Sequence, residues 1–197
     1  MNVDVTRNIL TDEVLSRFDL ATEEATGLPN ACYTSKEWLK AENTRLFAKT
    51  WMLAGFCHDI PGKGDACPVD LAGMPLVILR DNDGEIRAFH NVCRHRGAVI
   101  VPEKCSAQRM LTCPYHAWAY GLDGSLRSRP HFYGGDNHDT DPGPDAPGLV
   151  PVRHAVWHDL IFVNISGDAI AFEEHWKPFT RWTADYDFSA LNYAETL

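Results

Sequence analysis

Apolar residues change their spacing twice along this chain. Residues 8–26 are polar with scattered aliphatics, a helix-compatible N-terminal stretch that Gly27-Leu28-Pro29 brings to a stop. Thr34-Ser35-Lys36-Glu37 matches a capping box, and Trp38, Leu39, Leu46 and Phe47 recur near helical period. A helix is therefore predicted through Lys49, with its apolar stripe packed on the domain. From Trp51 the period shortens. Residues 51–57, 66–71, 76–80 and 86–90 read as strands, with Asn82-Asp83-Gly84 as a hairpin turn. Asp123-Gly124 closes a second hairpin, and residues 150–157 and 160–165 form a last one around His158-Asp159. Asp168 is expected to cap a helix beginning near Ala171, which Pro178 should interrupt. The turn-rich acidic stretch of residues 134–144 should be an exposed loop. The fold class is mainly β: an antiparallel sandwich with ligand-bearing loops, plus flanking helices at the N- and C-terminal ends. Three parts are expected: an N-terminal arm (1–27), one domain (28–166) and a C-terminal segment (167–197).

Two short runs carry the chemistry. Cys93-Arg94-His95-Arg96-Gly97 and Cys113-Pro114-Tyr115-His116 each offer one thiolate and one imidazole, with 17 residues between His95 and Cys113. Two such loops folded together would present two sulfurs at one depth and two ring nitrogens at another. That asymmetry suits a Rieske 2Fe–2S cluster, in which Cys93 and Cys113 hold one iron and His95 and His116 the other. Two ferric ions, two sulfides and two thiolates sum to zero charge when the histidines are neutral, whereas four thiolates leave a negative core. An electron is therefore added more easily, at roughly −150 to +300 mV against about −400 mV for plant-type ferredoxins. A Cys2His2 zinc site needs the same inventory, but zinc fingers usually pair cysteine with cysteine and histidine with histidine. Here the types are mixed within each run, and the one-residue gap in the first and two-residue gap in the second fit the cluster better than zinc. No C-x-x-C pair is present, so a dithiol redox motif is not indicated.

Cys93-x-His95 and Cys113-Pro114-Tyr115-His116-Ala117-Trp118, followed by Tyr120-Gly121-Leu122-Asp123-Gly124, resemble the N-terminal domain of Rieske non-haem iron oxygenase α subunits. The resemblance runs from about Leu28 to Ser166 and includes Tyr33, Trp38, Glu42 and Trp51. It implies a Rieske-type fold and an electron-transfer role in aromatic-ring hydroxylation or oxidative dealkylation. It further implies a ferredoxin or a flavin and iron–sulfur reductase as electron donor. The acceptor would be a catalytic domain or neighbouring α subunit in a homo-oligomer. In that family oxygen is activated at a mononuclear iron, Fe(II), held by two histidines and a carboxylate. The family's acid, histidine three on and histidine five beyond find only His90 and His95 here, with Arg87 at the acid position. No catalytic residue for oxygen activation is therefore assigned, and the chain alone is not expected to oxygenate a substrate. An independent Rieske ferredoxin and a zinc-binding interaction domain are the alternative readings.

Composition narrows the rest. At 197 residues, with 45% hydrophobic residues, the chain can bury one substantial core. A net charge of −9 disfavours nucleic acid and anionic membrane as partners, and on whole-chain charge alone favours a basic electron-transfer partner. No run approaches the ~20 apolar residues that span a bilayer, and no targeting segment is visible. A cytoplasmic location is the expectation. Membrane-anchored Rieske proteins of cytochrome complexes carry an extra cysteine close behind each ligand pair; here Gly97-Ala98 and Ala117-Trp118 occupy those places. Cys32, Cys57, Cys67 and Cys105 read as free thiols. His131 and His138, among aspartates, read as part of a solvated loop in preference to a metal site. His154 and His158 are expected on one strand face.

Overall fold

The computed structural model describes residues 4–188. Among them, nine strands form three antiparallel three-stranded sheets. The middle sheet is β2 (Ala66–Leu71), β3 (Met74–Arg80) and β4 (Ile86–His90), in that order. On one face lies a sheet of β1 (Met52–Phe56), β9 (Leu160–Asn164) and β8 (Arg153–Trp157), ordered β1-β9-β8. On the other lies a small sheet of β5 (Leu111–Thr112), β6 (Ala119–Tyr120) and β7 (Leu126–Ser128).

Central strand β3 explains this layering. A strand covered on one side alternates apolar and polar, but Leu76, Val77, Ile78 and Leu79 are consecutive and all at most 1% exposed. Leu76 and Ile78 join Ala54, Ile161 and Val163 in the core facing the β1-β9-β8 sheet. Val77 and Leu79 join Phe89, Leu111, Tyr120 and the two motif cysteines in the opposite core. Burial of each such aliphatic side chain contributes about 1.5–3 kcal/mol. Residues 149–152 stitch the layers together, with the Val152 amide donating to the Ala88 carbonyl (2.8 Å) and the Leu149 amide to the Gly124 carbonyl (2.7 Å).

The flanking helices depart from expectation in detail. The N-terminal stretch forms two short helices, α1 (Val5–Ile9) and α2 (Asp12–Phe18), and residues 19–30 are not helical. After the single turn α3 (Ala31–Thr34), α4 spans Lys36–Arg45 and is capped by Ser35, one residue later than the capping-box register; its Oγ accepts from the Trp38 amide at 3.1 Å. A 3-10 turn, Phe47–Lys49, replaces the last turn, and Leu39 and Leu46 are exposed, so the apolar stripe reduces to Trp38. At the other end α5 (Phe172–Trp182) runs through Pro178, and Asp168 does not cap it. Its carboxylate accepts from the Ser166 hydroxyl instead. Proline in a helix interior costs about 3 kcal/mol. The offset is aromatic: Phe172 packs on Trp51 and Phe162, while Trp176 and Phe179 pack on Trp157, with ring centroids 5.1–5.6 Å apart. Trp182, by contrast, is exposed. His158 sits in the β8–β9 turn at φ +53°, so it does not share a strand face with His154. No described helix is long and apolar enough to cross a membrane.

The β3–β4 turn depends on one buried carboxylate. Asp81 accepts from the Asp83 and Glu85 amides (both 2.9 Å) and from Arg87 Nε (2.8 Å). Burial pushes its carboxyl up, but the Arg87 guanidinium and the two amides outweigh this and hold it below the ordinary range. A depressed folded pKa means that the stabilisation is complete above the unfolded value of about 3.9 and is lost as pH falls through the folded value. Asp81→Asn should cost roughly 1–3 kcal/mol at neutral pH in urea denaturation. The deficit relative to the parent should shrink as both are acidified from the unfolded value of about 3.9 down through the lower folded one.

Candidate metal centre

The two motif loops have the same backbone. In the first, the Cys93 amide donates to the Ala98 carbonyl (2.8 Å) and the Gly97 amide to the Cys93 carbonyl (3.0 Å). In the second, the Cys113 amide donates to the Trp118 carbonyl (2.8 Å) and the Ala117 amide to the Cys113 carbonyl (3.0 Å). Each loop turns at its fifth residue through a left-handed conformation, Gly97 at φ +73° and Ala117 at φ +55°. Glycine supplies that conformation without steric cost, and alanine does not. The second loop joins β5 to β6, and the first follows directly from β4.

Asn91, 1% exposed, fixes the first loop at its root. Its Oδ1 accepts from the Ile100 and Val101 amides (3.1 and 2.9 Å), and its Nδ2 donates to the Val101 carbonyl (2.7 Å). The segment between the loops is pinned by a two-bond bridge between Ala66 and Cys105 and by Asp65, which accepts from the Ala107 amide at 3.1 Å. Cys105 is thereby held in backbone pairing with β2, packed against the core.

All four sequence-predicted residues come together, and at two depths. Cys93 and Cys113 are 3% and 2% exposed, and their thiols are close enough to interact. His95 and His116 lie outside them, with ring centroids 4.7 Å apart. Burial pushes the Cys113 thiol up, against the amides of Tyr115 and His116, which pull it down. Burial likewise lowers the His95 pKa, helped by neighbouring His116 and Arg96. A neutral imidazole is the form that binds a metal. His116 Nδ1 is buried without a hydrogen-bond partner. Buried ring nitrogens normally have one, so this atom fits a metal ligand. Among the described residues no three His, Cys, Asp or Glu side chains group closely enough for one ion. Two pairs, one of sulfur and one of nitrogen, fit a two-iron cluster in which each iron takes two protein ligands.

Sequence reasoning missed the supporting shell. Tyr120, fully buried, accepts from the Arg94 amide at 3.0 Å, which leaves its hydroxyl hydrogen for Cys93 Sγ at 3.3 Å. Burial, then the contact with Cys93, push its phenol pKa up, so it stays a donor. Trp118 stacks on the His95 ring (4.8 Å, 9°). The surface over the site, a depression of ≈ 810 Å³, is lined by Arg94, Arg96, Tyr115, Trp118, His131 and Phe132 besides the two ligand-type histidines, with no carboxylate. His131 and His138 pack against each other (4.5 Å) in a loop whose Asp139 is buried against Arg129, so that acidic stretch is not wholly solvated.

This arrangement of paired hairpin loops defines a Rieske iron–sulfur module. Residues 50–134 match the family model described as Rieske [2Fe-2S] domain. The carnitine monooxygenase oxygenase subunit of Escherichia coli (strain K12) is 32% identical over 168 residues, 85% of this chain and 44% of that protein. An apo quaternary ammonium Rieske monooxygenase, CntA, superposes with a TM-score of 0.70 at 28% identity, covering 82% of this chain and 46% of that one. Naphthalene 1,2-dioxygenase from Rhodococcus sp. superposes at 0.72 with 27% identity, covering 89% and 38%. Residues 50–134 therefore form a Rieske 2Fe–2S domain, and the relatives that the chain matches are oxygenase subunits of Rieske non-haem iron oxygenases. The chain spans less than half the length of these relatives.

Hydrogen bonds to ligand sulfur raise a cluster's reduction potential by stabilising the more negative reduced form. Tyr120→Phe should lower it by an amount equivalent to about 1 kcal/mol, or roughly 40 mV for one electron, in a dye-mediated redox titration.

Proposed function

We propose that Cys93, His95, Cys113 and His116 hold a Rieske 2Fe–2S cluster and that this chain relays electrons to the catalytic iron of an oxygenase. The observation that carries this reading is the pairing of two buried thiols with two outer imidazoles, one of which has a buried, unpartnered nitrogen. When bound, such a cluster supplies one-electron storage at a potential raised by imidazole ligation. The protein's part is to hold the ligands. Cys93 and Cys113 lie in the core, where water is excluded; the backbone bonds of the paired loops fix their depth, and the Tyr120 hydroxyl donates to Cys93. His95 and His116 stand at the surface and form the path by which electrons enter and leave. Residues 28–166 act as the cluster domain, residues 1–27 as an arm and residues 167–197 as the lead into the catalytic part. The relatives' names support an oxygenase component over an independent ferredoxin. Carnitine and quaternary ammonium monooxygenases among them support oxidative attack on a quaternary amine by the whole enzyme.

Electron donors of the ferredoxin or flavin and iron–sulfur reductase class fit the rim above the histidines. Whole-chain charge pointed to a basic partner, but Arg94 and Arg96 line this rim with no carboxylate beside them. The local field, not the net −9, steers a docking protein, so the partner face is acidic.

Two measurements test this. The purified chain should be coloured, contain about two irons and two acid-labile sulfides, and give a rhombic electron paramagnetic resonance signal after dithionite. Cys113→Ala should abolish all three, and a colourless zinc-containing parent would overturn the reading. With a cognate acidic ferredoxin, Arg94→Glu/Arg96→Glu should slow cluster reduction roughly tenfold or more at low salt, a difference that narrows at high salt in stopped flow.

A further inference from the structure

Trp118 belongs to the second motif loop by its backbone and to the first by its ring. Its carbonyl closes the second loop by accepting from Cys113, while its indole lies parallel to the imidazole of His95. Parallel stacking over a face restrains rotation of the smaller ring about its side-chain bond. His116 meets the same imidazole at a steep angle of 68°, so the plane of His95 is set chiefly by Trp118.

The indole is itself held from behind. Phe132 meets it edge-on at 6.1 Å and 64°. The Arg129 guanidinium lies 3.6 Å from the Phe132 ring centroid and 5.7 Å from that of Trp118, a cation packed over two aromatic faces. Arg129 is in turn fixed by Asp139, only 6% exposed, to which Nε donates at 2.7 Å. The backbones of Arg129 and Asp139 also exchange two hydrogen bonds (2.7 and 3.0 Å), so residues 129–139 form a closed loop with an ion pair at its base. Neither Arg129 nor Asp139 lines the depression over the cluster loops, and an ion pair this buried is more than surface decoration.

We propose that the 129–139 loop is a strut for the histidine side of the site: Asp139 orients Arg129, Arg129 and Phe132 press on Trp118, and Trp118 sets the plane of the His95 imidazole. These are positioning residues, acting through Trp118 on a ligand they do not touch. The inference rests on the assignment of His95 as a cluster ligand. Ring orientation governs both the strength of the bond that His95 makes and its coupling to an electron acceptor. Outer-shell partners of this kind are worth about 10–100-fold in metal affinity.

The test uses the cluster-loaded chain. Arg129→Met, Asp139→Asn, Trp118→Ala and Trp118→Phe are compared with the parent and with Arg127→Met, which breaks only the exposed pair with Asp123. The readouts are histidine-nitrogen hyperfine couplings, measured by pulsed electron paramagnetic resonance, and the half-life of cluster colour in the presence of an iron chelator. Arg129→Met and Trp118→Ala should change the couplings of one histidine and shorten the half-life about 10–100-fold. Trp118→Phe, which keeps an aromatic face, should lie near the parent, and Arg127→Met should match it. Unchanged couplings in Arg129→Met and Asp139→Asn, whether or not the variants are less stable to heat, would overturn the strut, and they decide the matter if Trp118→Ala fails to fold. A parent cluster with no histidine-nitrogen couplings would instead overturn the ligand assignment itself, and the strut with it.

Discussion

The molecule depends on a strand that is buried on both faces. Four consecutive side chains of β3 alternate between two cores, and the two motif cysteines are members of one of them. The middle sheet therefore cannot shift relative to its neighbours without exposing apolar surface on one side or overpacking the other. A ligand depth fixed by such a core is fixed by the whole sandwich. The loops themselves add little burial; they inherit their position from the strands that feed them.

On this base one loop design is used twice. Both loops hold the same pair of backbone bonds and the same left-handed fifth residue, yet the histidine is the third residue of the first loop and the fourth of the second. That offset lets two copies of one turn face each other with their imidazoles adjacent and not parallel, 68° apart. Thiols that point into a core and rings that point out of it give the site a direction. The inner end is shielded by protein, and the outer end opens on a rim of arginines and aromatic rings.

What could be read from the sequence follows from what leaves a local mark there. Strand β2 and strand β4 were legible to the residue, because their boundaries coincide with turn residues on both sides. The four candidate ligands stand out in the sequence because their identity and spacing suggest the chemistry, and the fold brings them together. Pro178 misled: its local cost is real, but aromatic packing of α5 on Trp157 and Phe162 outweighs it, and that packing joins residues far apart in the chain. Tyr120 stood in the sequence only as one member of the resembling motif, with nothing to show its bond to Cys93, and Asn91 and Arg129 left no signal, since a buried side chain looks like any other until its partners are known. The acidic loop read as solvated because Asp139 is one aspartate among several, and only the fold selects it for Arg129.

Ala117 gives the two halves of the site unequal endurance. Gly97 rests in its left-handed turn, whereas an L-residue in the same conformation is disfavoured by roughly 1–2 kcal/mol. The second loop is a sprung latch and the first a relaxed one. The second loop thus holds its shape against a local strain that the first, rooted on Asn91, does not carry.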